Sequence, residues 1–316
     1  MNKIRVGILG YGNLGHALEE LILQNTNLKL VAIFSKRNNI TSIYNTPIIP
    51  RDQTLMYKNK IDILAICSGS KTDMLHDASF YVRQFNIINT FDTHNLICKE
   101  YKKLDKLSKS NNTLCIMSAG WDPGLFSQIK LQLYNILNTK PNVFWGKGLS
   151  LGHSNAAKDI SGVIDALSFT IPKKSFMKQA QKGLLINDNN HLRKLYITSE
   201  KNFSKNDIKK EILKKHNYFK SEDTTIKFVS LKKLKKLKNF SHAGKIINTK
   251  QTSSGQDFRF SFEVKMSSNP HLTAMIMLSY IKSFKNIKNK YKIGTFTPLH
   301  FSPLDISDMT DRKSVG

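Results

Sequence analysis

The chain has few cysteines, few acidic residues and no long apolar run, and each shortage excludes a class of protein. The three cysteines lack the spacing of metal ligands, and Cys67 and Cys115 lie in apolar, strand-like runs, so we expect reduced core thiols and no metal site. No stretch approaches the roughly 18 uninterrupted apolar residues that span a bilayer, and the N-terminus runs directly into a β-like segment instead of a signal peptide. We therefore expect a soluble, cytoplasmic protein with no membrane partner.

Acidic residues are scarce relative to basic ones, with 23 Asp and Glu against 49 Lys and Arg, which gives a net charge of +26. Such an excess favours polyanions through counterion release. The lysines are scattered, however, and the densest run, 232–238, contains no aromatic residue on which a base could stack. The composition is also typical of AT-rich codon drift onto tolerant surface positions. We expect a solvated basic surface and no specific nucleic-acid partner, with polyanion binding as the alternative.

The length and the apolar pattern predict two domains, the first with a parallel sheet. At 316 residues the chain exceeds what one hydrophobic core usually organises. Apolar, β-branched runs alternate with helix-like segments, which predicts a Rossmann-type, doubly wound α/β sheet. The predicted strands are Ile4 to Leu9, Leu28 to Phe34, Ile61 to Cys67, Asn86 to Phe91 and Thr113 to Met117.

A glycine-rich segment joins the first predicted strand to an amphipathic helix. Gly10 would permit a tight turn, Gly12 would let a pyrophosphate approach the backbone, and Gly15 would allow close packing of the helix on the strand. The N-terminus of the helix then offers free N–H groups to the phosphates. The alternative is a tight turn with no ligand. The segment reads Gly10-Tyr11-Gly12-Asn13-Leu14-Gly15.

The end of the second predicted strand selects the cofactor. NAD-binding sheets usually place an acidic residue here, roughly 20 residues past the glycines, to hold the ribose 2′-hydroxyl. This chain has Ser35, Lys36 and Arg37 instead, with two cations and no carboxylate. We therefore expect NADP, with the 2′-phosphate bound by these three residues. In so basic a chain, two adjacent cations could also arise by chance.

Polar loops follow the other predicted strands and should meet at the carboxyl edge of the sheet, where ligands of open α/β sheets bind. Asp92 and Asp122 follow different strands, and together they would suit an ammonium group. Each could instead be a helix cap or a turn former. The remaining cofactor-binding candidates in these loops are Ser68, Gly69, Ser70, Thr72, Asp92, His94, Gly120, Trp121, Asp122, Pro123 and Gly124.

The second half of the chain predicts an α+β substrate and dimerisation domain with a mixed or antiparallel sheet. Phe258, Phe260, Phe262 and Val264 alternate along one strand, as in a half-buried sheet. Predicted strands are 142–146, 193–199, 225–230, 244–249 and 257–266, and predicted helices are 125–137, 159–169 and 204–215. The expected domains are 1–121, with about 270–316 packing back on it, and 122–269.

Seven motifs, in this order and spacing, resemble the meso-diaminopimelate dehydrogenase family along nearly the whole chain. They are GYGNLG, IFSKR, FDTHN, GWDPGLFS, FWGKGLSLGHS, HLRK and SSNP. The resemblance implies reversible, NADP-dependent oxidative deamination of the D-centre of meso-2,6-diaminopimelate, which yields L-2-amino-6-oxopimelate and ammonia. It also implies a homodimer.

The resemblance assigns roles to individual positions. Asp92 and Asp122 match the carboxylates beside the reacting amine. An Arg, a Thr and a His match the group that grips the distal carboxylate, which suits the planar fork of a guanidinium. The backbone of 148–152 would face the near carboxylate. The implied substrate-binding residues are Trp121, Trp145, Leu151, Gly152, Thr170, Arg193, His242 and Asn269.

Two positions depart from the family pattern, and other readings stay open. Leu151 stands where the family often has Gln, and Asn155 where it often has Asp, which affects the near-carboxylate site more than the reaction type.

Three of the substrate-binding candidates also have structural alternatives. His242 could be structural, Thr170 could pack before Pro172, and Arg193 could be a surface cation. Other functions to weigh are a different two-domain NADPH reductase of amino-acid biosynthesis, such as a dihydrodipicolinate reductase or a homoserine dehydrogenase, and a nonenzymatic NADP sensor or nucleic-acid-binding protein.

Overall fold

The structure is a computed structural model that describes residues 3–69, 73–186, 190–215, 219, 223–238 and 241–307. The chain divides into two compact units. Unit 1 comprises Met1–Ile129 and Pro270–Gly316, and unit 2 comprises Lys130–Asn269. Within the described ranges, no helix is both long enough and apolar enough to cross a membrane.

Unit 1 contains a seven-stranded sheet in which every neighbouring pair is parallel. Its strands are β1 (Ile4–Leu9), β2 (Leu28–Ser35), β3 (Ile48–Pro50), β4 (Ile63–Ile66), β5 (Ile87–Asn89), β6 (Leu114–Ile116) and β14 (Gly294–Phe296). Their order is β14-β6-β5-β4-β1-β2-β3, so β14 extends the sheet beside β6. The predicted parallel Rossmann-type sheet is therefore confirmed.

Helices cover both faces of this sheet because successive side chains of a strand point to opposite sides. The helices of unit 1 are α1 (Asn13–Leu23), α2 (Asp73–Tyr81), α3 (Ile97–Ser110), α9 (Asn269–Lys282), which starts at the unit boundary, and α10 (Phe284–Tyr291). Ile8 belongs to an apolar core with α1, α9 and α10, whereas its neighbour Leu9 belongs to a second core with α2 and α3. Short 3-10 helices occupy Arg51–Lys60, His94–Leu96, Pro298–His300 and Pro303–Ile306.

In its described residues, unit 2 combines two sheets with four helices of its own, which confirms the predicted α+β class. Its strands are β7 (Asn142–Trp145), β8 (Gly148–Ser150), β9 (Val163–Pro172), β10 (His191–Ser199), β11 (Asp223–Phe228), β12 (His242–Gln251) and β13 (Asp257–Met266). A mixed sheet has the order β11-β10-β9-β8, and an antiparallel sheet has the order β13-β12-β7. The helices are α5 (Leu151–Lys158), α6 (Lys174–Gln181), α7 (Lys205–Lys215) and α8 (Leu231–Leu237), and α4 (Leu125–Leu137) contains the unit boundary.

The helix predicted over 159–169 is wrong, because most of this segment belongs to strand β9. β9 lies in the interior of the mixed sheet between β8 and β10, and residues 166–170 are all buried. A strand that is buried on both faces loses the alternation of apolar and polar residues by which a strand is recognised.

Candidate active site

The glycine-rich segment forms a tight turn between β1 and α1. Gly10 has a φ of +98°, and a Cβ there would lie 2.7 Å from the backbone nitrogen of Ser68. A Cβ on Gly15 would collide with the carbonyl oxygen of Gly10. A Cβ on Gly12 would meet nothing within 4 Å, and α1 begins at Asn13. The turn therefore leaves open space in front of the first amides of a helix, which is where a pyrophosphate binds.

Ser35, Lys36 and Arg37 lie beside this turn. The hydroxyl of Ser35 accepts a hydrogen bond from the backbone nitrogen of Arg37 at 3.0 Å, and the Arg37 guanidinium donates to the carbonyl oxygen of Tyr11. Lys36 forms an exposed ion pair with Asp73 at 2.9 Å. These residues line a cavity of about 300 Å³ together with Gly10, Tyr11, Gly12, Ser68 and Gly69.

The fit to NADP is therefore good on two independent grounds. The turn offers space and amides to a pyrophosphate, and the cavity wall contributes cations without an acidic residue at the end of β2. Two further candidates from the sequence, Ser70 and Thr72, lie outside the described residues.

Asp92 and Asp122 come close to each other at the exits of β5 and β6. The pKa of Asp92 is raised, chiefly because surrounding protein removes water from its carboxylate, and the negative charge of Asp122 raises it further. His94 opposes this by lowering the same pKa. Its Nε2 lies 3.4 Å from Oδ2 of Asp122, whose side chain is 9% exposed. The three side chains form one electrostatically coupled group.

Asn89, which the sequence did not single out, fixes the two exits to each other. Its buried Oδ1 accepts hydrogen bonds from the backbone nitrogens of Phe91, at 3.1 Å, and Ser118, at 3.3 Å. The hydroxyl of Ser118 donates to the carbonyl oxygen of Phe91 at 2.8 Å. One side chain therefore holds the segments that lead to Asp92 and Asp122.

The turn from Gly120 to Gly124 presents Asp122 in front of helix α4. Gly124 has a φ of +133°, and a Cβ there would collide with the carbonyl oxygen of Gly120. Backbone nitrogens of Leu125 and Phe126 donate to the carbonyl oxygens of Gly120 and Trp121. Only glycine fits at position 124 without moving this turn. The indole of Trp121 is 9% exposed and packs edge-on against Phe126.

In unit 2, Arg193 and Thr170 are direct neighbours across the β9–β10 pair. Nη1 of Arg193 donates to Oγ1 of Thr170 at 3.2 Å, and both residues are almost fully buried. On the opposite edge of β9, Gly148 of strand β8 pairs with Thr170. A Cβ on Gly148 would lie 2.5 Å from the His242 ring. Thr170, Arg193 and His242 thus gather around the Gly148 backbone, as a carboxylate-binding group requires.

Three histidines, His242 itself and the nearby His153 and His191, are neutral at neutral pH. Burial lowers the pKa of His191 to about 4 and that of His153 to about 3, and the charge of Arg193 lowers both further. Burial also lowers the pKa of His242. The formal positive charge of the cluster therefore resides on Arg193, while neutral imidazoles offer hydrogen bonds.

The remaining substrate candidates of unit 2 stand at element ends. The backbone nitrogen of Trp145, at the end of β7, donates to Nε2 of His191 at 2.7 Å. Leu151, 40% exposed, and Gly152 begin α5, and a Cβ on Gly152 would meet nothing within 4 Å. Asn269 is the first residue of α9.

Across the described ranges, no group of three His, Cys, Asp or Glu side chains could hold a metal ion.

A family model, the diaminopimelic acid dehydrogenase C-terminal domain, matches residues 120–268. The chain is 35% identical to a meso-diaminopimelate D-dehydrogenase from Acetivibrio thermocellus, over 97% of this chain and 95% of that protein.

Solved structures agree with the sequence match. The Corynebacterium glutamicum DAP dehydrogenase in complex with DAP matches with a TM-score of 0.92 at 28% identity, over 98% of this chain and 97% of that one. An engineered D-amino acid dehydrogenase bound to NADP+ matches with a TM-score of 0.88 at 26% identity, over 99% of this chain and 98% of that one.

Proposed function

Because the chain belongs to the meso-diaminopimelate dehydrogenase family, we propose that it catalyses the reversible oxidative deamination of the D-centre of meso-2,6-diaminopimelate with NADP. One water is consumed, and the products are L-2-amino-6-oxopimelate, ammonia, NADPH and a proton. Run in reverse, the reaction supplies a precursor of lysine and peptidoglycan. The family resemblance that the seven motifs indicated is confirmed.

The observation that carries the proposal is the coupled carboxylate pair, Asp92 and Asp122. Two carboxylates within electrostatic range attract an ammonium group, and the raised pKa of Asp92 suits a group that exchanges protons with the reacting amine. His94 adds a third titratable group 3.4 Å from Asp122. This set can hold the amine and handle its proton.

NADP, when bound, accepts the hydride from the D-centre. Hydride transfer needs no nucleophile from the protein, so the protein's contribution is binding, orientation and exclusion of water. In the proposal the glycine-rich turn and the first amides of α1 bind the pyrophosphate, and Ser35, Lys36 and Arg37 bind the 2′-phosphate. Their positions around one cavity support these roles.

The positions that match the family's substrate-binding residues bind the rest of the substrate in this proposal. Arg193, Thr170 and His242 hold the distal carboxylate, since a buried guanidinium that already donates to Thr170 is oriented for a bidentate contact. The 148–152 backbone binds the near carboxylate. Trp121 and Trp145 form aromatic walls, and Asn269 contacts the distal L-centre.

The proposal also includes a homodimer that works in the cytoplasm. Strand β13 presents Phe258 and Phe260 at 47% and 38% exposure, although their alternation predicts a half-buried face. Leu131 and Tyr134 of α4 are also large, apolar and exposed. A second copy of the chain would bury such side chains, which supports the dimer. The cytoplasmic location is supported by the three cysteines, which are all free thiols, because disulfides are rare in that reducing compartment.

The function is tested by mixing the protein with NADP and each diaminopimelate stereoisomer and following the absorbance of reduced nicotinamide. We expect turnover with the meso form only, accompanied by one ammonia per NADPH. Turnover of the LL isomer at a similar rate, or no turnover of the meso form, would contradict the proposal.

A further inference from the structure

Arg51 stands at the same edge of the sheet as the residues that bind the 2′-phosphate in the proposal above. Strands β2 and β3 are parallel neighbours, and Ser35 is paired with Pro50 at their ends. Lys36 and Arg51 are the next residue along each strand. Because paired strands lie about 4.8 Å apart, the two cations leave the sheet side by side.

The Arg51 guanidinium is fixed by a buried partner. Its Nη2 forms an ion pair with Asp77, a residue of α2 that is fully buried, and the Arg51 side chain is only 16% exposed. The guanidinium carbon lies 6.0 Å from the centre of the Tyr81 ring. Within the described part of the chain, the contact with Asp77 is the one hydrogen bond of the Arg51 side chain, so the other N–H groups of the guanidinium stay available to a ligand.

Two cavities meet at Arg51. The cavity that contains the glycine-rich turn includes Ser35, Lys36 and Arg51 in its wall. A neighbouring cavity of about 590 Å³ shares the same three residues and adds the aromatic side chains of Phe80 and Tyr81. Arg51 therefore stands where the dinucleotide groove opens into a larger, partly aromatic recess.

We propose that Arg51, oriented by Asp77, is a third cation for the adenosine 2′-phosphate and a determinant of the preference for NADP. A guanidinium held by one N–H presents the rest of its planar fork to a phosphate, and little side-chain entropy is lost because the group is already fixed. The Asp77 carboxylate keeps the cation compensated when no ligand is bound. This inference rests on the proposed NADP cofactor.

The test uses two ligands that differ by one phosphate, adenosine 2′,5′-bisphosphate and adenosine 5′-monophosphate, with calorimetry on the full chain. Loss of a charge-assisted contact in Arg51→Met should weaken bisphosphate binding by roughly tenfold or more, with less than about a twofold change for the monophosphate. The matched control is Arg83→Met, an exposed arginine that precedes β5 at the opposite edge of the sheet. It should leave both affinities unchanged.

A second variant guards against misfolding, because Arg51→Met alone leaves a buried charge on Asp77. Arg51→Met combined with Asp77→Leu removes both partners and should lose the same preference while unfolding cooperatively. If either variant keeps the wild-type preference for the bisphosphate, or loses both ligands equally, the role of Arg51 is overturned. If the wild-type protein itself binds both ligands equally, the cofactor assignment falls as well.

Discussion

Nε2 of His94 lies 3.4 Å from Oδ2 of Asp122, and the same histidine lowers the pKa of Asp92. One imidazole therefore acts on both carboxylates of the proposed amine site. Each carboxylate must be ionised to attract an ammonium group, so the histidine influences the pH range in which the site works.

This relationship predicts how His94→Gln changes the pH profile. Partial loss of water around its carboxylate and the negative charge of Asp122 raise the pKa of Asp92, which keeps an exposed position, and the charge of His94 counteracts them. Without that cation the pKa of Asp92 rises further, so activity should begin to fall at a higher pH on the acid side. The measurement is kcat/KM for diaminopimelate from acid to neutral pH. An acid limb that stays in place or moves to lower pH would disprove the coupling.

Asn89 should matter to both stability and turnover. In Asn89→Ala the buried amides of Phe91 and Ser118 lose their shared acceptor, which should cost about 2 kcal/mol or more of unfolding free energy. Because the two exits then separate, kcat should fall roughly tenfold while NADPH still binds. Chemical unfolding and steady-state rates measure the two effects. Asn289→Ala, at an exposed position on α10, is the control and should change neither.

His191 should make the protein sensitive to acid. Its pKa is lowered from 6.5 to about 4 in the folded state, because burial and Arg193 oppose protonation. The unfolded chain thus binds the proton more tightly, so stability is full above pH 6.5 and is lost as the pH falls toward about 4. The loss should reach about 3 kcal/mol.

The test compares unfolding free energies of the wild type and His191→Phe between neutral and acid pH. A phenyl ring can pack beside Phe144 but does not titrate and cannot accept from the Trp145 nitrogen. We expect a smaller loss of stability on acidification in the variant and a several-fold higher KM for diaminopimelate. His153, whose pKa burial also lowers, still titrates in both proteins and leaves each with some acid sensitivity. Equal acid sensitivity in the two proteins would contradict the role of His191.

Much of unit 1 could be predicted from the sequence, because its signals are local. The strand predicted from Ile4 to Leu9 has those bounds in the structure, and α1 follows the glycine-rich turn directly. Strands β3 and β14 have three residues each and were not predicted. Strands β5 and β6 are equally short but lie inside the sheet and are fully buried, whereas β3 and β14 are its edge strands and contain Pro50 and Gly294, residue types that are typical of turns.

The site was predicted in part, and the missing residues share one property. The pair Asp92 and Asp122 could be inferred because both follow strands of one parallel sheet. Asn89 and Arg51 could not, since each depends on a partner far along the chain, Ser118 for the first and Asp77 for the second. A side chain whose importance comes from a distant contact leaves no local pattern in the sequence.

In the proposed function the Asp92–Asp122 pair holds the reacting amine, and Asp122→Ala tests this role most directly. The variant should lose turnover of meso-diaminopimelate while NADPH binding, followed by calorimetry, stays within about twofold of the wild type. Asp159→Ala, in unit 2 beyond α5, is the matched control and should turn over normally. Normal turnover by Asp122→Ala would contradict the account.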